Sequence, residues 1–451
     1  MSLRIDGPLP HNERTLTLGL GDPHIDLTLE DLARHTIVFG NSGSGKTTRA
    51  FNPMLEDMLS VFEVGALILA AKAESVIEAS EIARRTGRDF IVIQPGGEVG
   101  LDLLTGSPDV DAMYFRDIFG RVPDDVKPYI DAAAMRMKYA LQMLKSASEQ
   151  YYTFSHLANY VFDEQFNAQI RIFVQERARH MHHASDEALA IREAVDYEEK
   201  RYRNFSEQTR QEVLFSVSQL LEPLLDVQLA KTFARKHNLI NIEEIFNGKI
   251  IIINVPRSHY ERAAQAIYTL AKRRFFTAVE NRRTNPHVNQ TRPVLFAVDE
   301  YQLCISETDV MSLGIVRSAG CMVLATSQGV SSLYSVLPRH YVDAALQNFT
   351  QKIFFKTDDQ ATLSAIDRAS RRASDQQESR KLPAMHRDQA LCHLTAGDIT
   401  SSVILTMRKL FVVNPFGETE DGVPAVATAI AGLSKSKHLL RGTRELLIDR
   451  Q

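Results

Sequence analysis

Short, continuous apolar runs punctuate the chain, and residues at three- and four-residue steps follow them. The first run is His35-Thr36-Ile37-Val38-Phe39; others lie at 65–71, 89–94, 249–255, 294–299, 321–326 and 352–355. Unbroken rather than alternating runs suit parallel strands covered on both faces. Helical spacing follows at 46–60, 74–86 and 260–282. Near residue 107 the character changes. From about 124 to 235 the pattern is helical throughout, with helices predicted at 130–145, 168–181, 186–202 and 206–224. The simplest reading is an α/β domain with a mostly parallel sheet and an all-α domain inserted between its third and fourth strands. The expected division is 1–106 for N-terminal strands and the first part of the α/β domain, 107–235 for the insertion, and 236–451 for the second part with a C-terminal tail. Residues 1–34 predict a strand or ribbon, and the polar stretch 371–390 a surface loop. The tail at 434–444, with Lys435, Lys437, Arg441 and Arg444, reads as a solvated end or as a DNA tether.

Composition narrows the class. The chain has 451 residues, 44% hydrophobic and 24% charged, enough for two or three domains. No stretch approaches the roughly 18 consecutive apolar residues of a membrane span. The N-terminus lacks the apolar core of a signal peptide, which predicts a cytoplasmic protein unless a partner tethers it. Cys304, Cys321 and Cys392 are scattered, a reducing-compartment pattern without a zinc motif. His180, His182 and His183 cluster on a charged stretch that reads as a solvated helix face. The net charge of −4 confines any nucleic-acid contact to local patches or a ring of subunits. Basic candidates are Lys272, Arg273, Arg274, Arg371 and Arg372, each also readable as an ordinary exposed charge.

The chemistry lies after the first strand. Gly40-Asn41-Ser42-Gly43-Ser44-Gly45-Lys46-Thr47 fits the phosphate-loop pattern at every fixed position, between a strand and a helix. Its glycines let backbone N–H groups turn inward around a phosphate. The nucleotide cradle is expected to run from Gly40 to Thr48, with Lys46 on the β- and γ-phosphates and Thr47 on Mg²⁺.

The strand Val294-Leu295-Phe296-Ala297-Val298 ends in Asp299-Glu300. Asp299 is placed to hold Mg²⁺ and Glu300 to orient and deprotonate a water, which favours hydrolysis over transfer to another acceptor. Arg317, before the strand at 321–326, reads either as a surface charge or as an arginine reaching a neighbour's nucleotide; Gln328, after it, reads as a sensor or an exposed amide.

Taken in order, these segments resemble the TraG/TraD-type conjugative coupling proteins, within the FtsK–HerA class of ring-forming DNA motors. The likeness rests on Gly43-Ser44-Gly45-Lys46-Thr47 running into Asn52-Pro53-Met54-Leu55, on Ala66-Leu67-Ile68-Leu69-Ala70-Ala71-Lys72-Ala73-Glu74, on Phe90 to Pro95, and on Gly100-Leu101-Asp102-Leu103-Leu104. It continues through Asp299-Glu300-Tyr301, Arg317-x-x-Gly320, Ala325-Thr326-Ser327-Gln328 and Lys352-Ile353-Phe354-Phe355-Lys356-Thr357-Asp358-Asp359. It spans about 35–410. The resemblance implies a RecA-like P-loop domain, ATP and Mg²⁺ as cofactors, and a homo-hexamer with DNA in its channel. It implies Arg317 as a trans-acting arginine finger, Gln328 as sensor, and relaxase or secretion-complex proteins as partners of the all-α domain. Two features depart from the family. Its Asp-Pro is Ala70-Ala71 here, and the N-terminal membrane hairpin of many members is absent.

The expected function is an ATP-driven DNA translocase. The alternatives are a protein-recruiting or regulatory ATPase of a secretion or antiphage assembly that does not move DNA, and a static nucleotide-binding fold.

Overall fold

The computed structural model describes residues 18–148, 152–234, 238–370 and 378–410. The tail at 434–444, Arg371 and Arg372 lie outside them.

The strands in chain order are β1 (Leu18–Leu20), β2 (Ile25–Leu27), β3 (Thr36–Phe39), β4 (Gly65–Ala70), β5 (Phe90–Ile93), β6 (Gly100–Leu101), β7 (Leu239–Ile240), β8 (Ile250–Asn254), β9 (Val294–Asp299), β10 (Cys321–Ser327), β11 (Gln351–Phe354), β12 (Gln389–Ala396) and β13 (Ile399–Thr406). One nine-stranded sheet has the order β13-β12-β11-β3-β10-β9-β4-β8-β5. From β11 to β5 every pairing is parallel; β12 and β13 form an antiparallel hairpin at one edge. β1 and β2 make the expected ribbon.

Alternate residues of each central strand enter opposite cores, as the two-residue strand period requires. Val38, Ile68 and Ile252 pack with helices Asn52–Val61 and Ala73–Arg85 on one face. Ile37, Leu67 and Ile251 pack with helix Arg257–Asn281 on the other. Gly65 sits where an added Cβ would stand 1.7 Å from the Ile245 carbonyl, so a side chain there would push the strand away.

Between β5 and β8 the regular elements among the described residues are helices, apart from the two-residue β6 and β7. The long helix Lys127–Ala147 is central, packed by Pro108–Phe119, Phe154–Phe162, Glu164–Arg179, Asp186–Asp196 and Glu207–Leu221. Local caps mark several starts: Thr153, Asp163, Ser185, Ser206 and Asp226 each accept a backbone N–H from the first turn. At the centre Arg136 pairs with Glu198 beneath the rings of Tyr160 and Tyr202. The apolar core of these helices is continuous with the core on the helix Arg257–Asn281 face of the sheet.

Several expectations are corrected. Lys272 and Arg273 are not surface cations. Lys272 is fully buried, donating to Asp309 and to Ser306 Oγ (3.0 Å), while Tyr301 donates to the other Asp309 oxygen (2.6 Å). Arg273 pairs with Asp117 at 3.1 Å. Arg274 is partly buried. The stretch 371–390 is not all loop: Glu378–Lys381 is helical, Leu382 is buried and β12 begins at Gln389. The helix expected at 186–202 gives way at Tyr197 to a π turn. The helix expected from residue 46 also opens with a π turn, Lys46–Phe51, in which the Asn52 N–H reaches back to the Thr47 carbonyl.

Asp309→Ala strands a fully buried ammonium and should destabilise the fold by ~3–5 kcal/mol, read as a lower urea midpoint. The paired replacement Lys272→Met with Asp309→Leu should recover most of that loss.

Candidate active site

The phosphate loop leaves the C-terminal end of β3, and the acidic pair leaves the C-terminal end of β9. β10 lies between them, so three neighbouring strand ends converge. Gly43 (φ 72°) and Gly45 (φ 104°) hold the loop in left-handed conformations that side chains resist. Asn41 ties the loop to the segment after β11. Its Nδ2 donates to Asp358 (2.8 Å), and its Oδ1 accepts from Thr357 (3.1 Å). Lys46 is buried and donates to the Asn41 carbonyl at 3.2 Å. Burial pulls its pKa down, with Glu300 and Asp299 pulling back up. Ser42 and Gly43 are exposed at the loop's rim, and Thr48 lies within the π turn, its carbonyl accepting the Leu410 N–H at 2.8 Å.

Thr47 Oγ1 lies 3.4 Å from Asp299 Oδ2. Thr326, on β10, donates to Asp299 Oδ1 at 2.6 Å and accepts from the Glu300 N–H at 3.3 Å. Glu300 itself sits at φ 92°, a left-handed conformation costing a non-glycine residue of order 1–3 kcal/mol. Its carboxylate accepts from Lys72 Nζ (2.7 Å) and from Gln302 Nε2. Burial pushes the Glu300 carboxyl up. The Lys72 bond and charge, Gln302 and Lys46 outweigh it and hold the group below its ordinary range.

The site thus brings together Gly40 to Thr48, Asp299 and Glu300. Gln328 follows β10 directly and is exposed beside them. Arg317 does not join them. It lies exposed in the last turn of helix Asp309–Ser318, which leads back to the start of β10 at the opposite end of the sheet.

Three further residues stand at the site without having been assigned a role from the sequence. Lys72 and Thr326 touch the acidic pair. Glu78 lines the hollow beside Ala70 with Thr47, Asn52 and Asp299 and accepts from Asn52 at 3.0 Å. A helix carboxylate therefore stands near the place left by Ala70. Burial raises its pKa, Asn52 opposes this, and Asp299 and Glu74 add to the rise. The signal for Lys72 was its place in the segment after β4, and for Thr326 its place one register step opposite Asp299.

The donor set fits a nucleotide phosphate with a divalent cation. Ser44 Oγ is buried in the loop without a hydrogen-bond partner, Lys46 is a buried cation, and a hydroxyl faces a buried carboxylate. These are groups for an anion on one side and a hard cation on the other.

Comparison with solved structures agrees with the architecture. The bacterial conjugative coupling protein TrwBdeltaN70 superposes with a TM-score of 0.63 over 90% of this chain and 92% of its own, at 14% identity. TrwB in complex with ADP and Mg²⁺ gives 0.60 over 87% and 89%, at 14% identity. VirB4 of Thermoanaerobacter pseudethanolicus gives 0.52 over 89% and 98%, at 12% identity. The chain has the coupling-protein fold. No family model and no curated protein sequence matches it. No single helix among the described residues is long and apolar enough to cross a membrane.

Proposed function

We propose that this protein is an ATP-hydrolysing ring motor that binds and translocates DNA, in a coupling role for DNA transfer or secretion. The observation that carries the reading is the convergence of Lys46, Thr47, Asp299 and Glu300 at adjacent strand ends of a coupling-protein fold.

When bound, Mg·ATP supplies the phosphoanhydride to be cleaved and a divalent charge against its phosphates. Lys46 and the loop N–H groups bind the phosphates. Thr47 and Asp299 hold the cation, with Thr326 fixing the Asp299 carboxylate. Glu300 orients the attacking water and takes its proton, and Gln328 senses the γ-phosphate. Arg317 reaches the site of a neighbouring copy and offsets transition-state charge. DNA is gripped through its phosphates, so binding weakens as salt rises.

A second reading has its own support. Ile172 (68% exposed), Phe173 (55%) and Phe215 (61%) stand out from the helices between β5 and β8. Such groups favour protein recruitment by these helices, with the ATPase regulating an assembly without moving DNA.

ATP turnover with and without DNA separates the readings. DNA stimulation that fades with salt supports the motor; turnover indifferent to DNA, with no DNA binding at low salt, rejects it. Glu300→Gln should lower turnover about 10²- to 10⁴-fold while ATP still binds. Arg317→Ala and Glu300→Gln chains, each inactive alone, should regain turnover when mixed, because one interface then carries both intact residues. A mixture as inactive as its parts rejects the trans assignment.

A further inference from the structure

The half of the site that holds the nucleophilic water depends on where Glu300 points. Its carboxylate is braced from two strand ends. Lys72, two residues past β4, donates to Oε1 at 2.7 Å. Gln302 donates to Oε2, and its own Oε1 accepts from Ser327 at the end of β10 at 3.3 Å. Each Glu300 oxygen keeps a further lone-pair direction for a water.

The backbone that launches Lys72 is immobilised. Asn254 Nδ2 donates to the Ala70 carbonyl (2.7 Å) and to the Lys72 carbonyl (3.3 Å). Tyr268, fully buried, donates to the Ala70 carbonyl at 2.9 Å, and Arg257 N–H to that of Ala71 at 3.3 Å. Four hydrogen bonds on three residues fix the origin of one flexible side chain. The ammonium itself is not core: the Lys72 side chain is 52% exposed against 11% for Glu300. A pair so open to solvent contributes little to folding. What the pair gains from the fixed launch point is a defined direction toward the carboxylate.

We propose that Lys72 is a positioning residue for hydrolysis, holding the Glu300 carboxylate toward the attacking water from the end of β4. This rests on the reading of Glu300 as the base. Lys72 touches the base and acts through it, so its loss should slow turnover without loosening nucleotide.

The test uses the full chain with Lys72→Met, Lys72→Arg, Glu300→Gln and the Lys72→Met, Glu300→Gln double variant. Turnover, KM for ATP, the Kd for a non-hydrolysable ATP analogue and the urea midpoint are measured for each. Lys72→Met should lower kcat about 10- to 100-fold. KM, the analogue Kd and the urea midpoint should stay at wild-type values, and Lys72→Arg should recover most of the turnover. In the Glu300→Gln background Lys72→Met should cost nothing more, since the group it orients is already gone. Wild-type kcat in Lys72→Met overturns the proposal. So does an analogue Kd that weakens in step with kcat, which makes Lys72 a phosphate ligand, or a fall in urea midpoint large enough to account for the lost turnover. If Glu300→Gln keeps full turnover, the base reading fails and this proposal with it. If Glu300→Gln is inactive and Lys72→Met is not, only the role of Lys72 fails.

Discussion

Asp299 is almost wholly buried at a strand end, and an ionised carboxylate taken out of water must be met by donors or by counter-charge. Much of the local architecture serves that need. The Thr326 hydroxyl can reach it only if β10 runs parallel beside β9 in the observed register, with Thr326 opposite Asp299. Thr47 can face it only if β3 lies on the far side of β10 and its loop turns back over the strand ends. The order β3-β10-β9 is thus the smallest arrangement that brings one acid, two hydroxyls and the loop lysine together. The same Thr326 oxygen accepts the Glu300 N–H and so supports the left-handed turn that follows. Strain at Glu300 and satisfaction of Asp299 are two sides of one hydroxyl.

Below that turn the structure is rigid in a different way. Tyr301, the residue after Glu300, donates to Asp309, which also receives buried Lys272 and the Ser306 backbone. Ser306 Oγ meets Thr308 Oγ1, and Thr308 donates to Asp117 on helix Pro108–Phe119. Asp117 in turn pairs with Arg273. Hydrogen bonds therefore run without a break from the helical segment between β5 and β8 to the residue beside the acidic pair. With both partners buried, such pairs add little net stability over apolar packing. The helices and the acidic turn are held as one unit.

What could be read from the chain follows from how local each signal is. β3, β4, β8 and β9 were legible because strands buried on both faces need unbroken apolar runs, and the phosphate loop because its glycines encode backbone conformation directly. The Asp299-Glu300 pair was legible as a strand end. The β12–β13 hairpin was not, since β13 is an edge strand whose Thr400, Ser401 and Ser402 resemble a loop. Lys272 and Arg273 misled for a deeper reason: a cation in sequence looks the same whether it faces water or an acid, and their partners Asp309 and Asp117 are remote in the chain. Lys72 and Glu300 are 228 positions apart, and nothing in either segment announces the other.

Arg317 carries the last step of the argument. Within one chain it stands at the end of the sheet opposite the phosphate loop, while Lys72, the cation nearest Glu300, is committed to that carboxylate. Within a single copy the cations at the phosphate loop are Lys46 and, at its rim, Arg387, whose guanidinium stands 3.7 Å from where a Cβ on Gly43 would lie. Under the ring reading a second copy presents its Arg317 edge to this end of the first and adds a further positive charge. On that reading assembly and hydrolysis are one requirement, because the sheet gathers the loop and the acids at one end and carries Arg317 at the other.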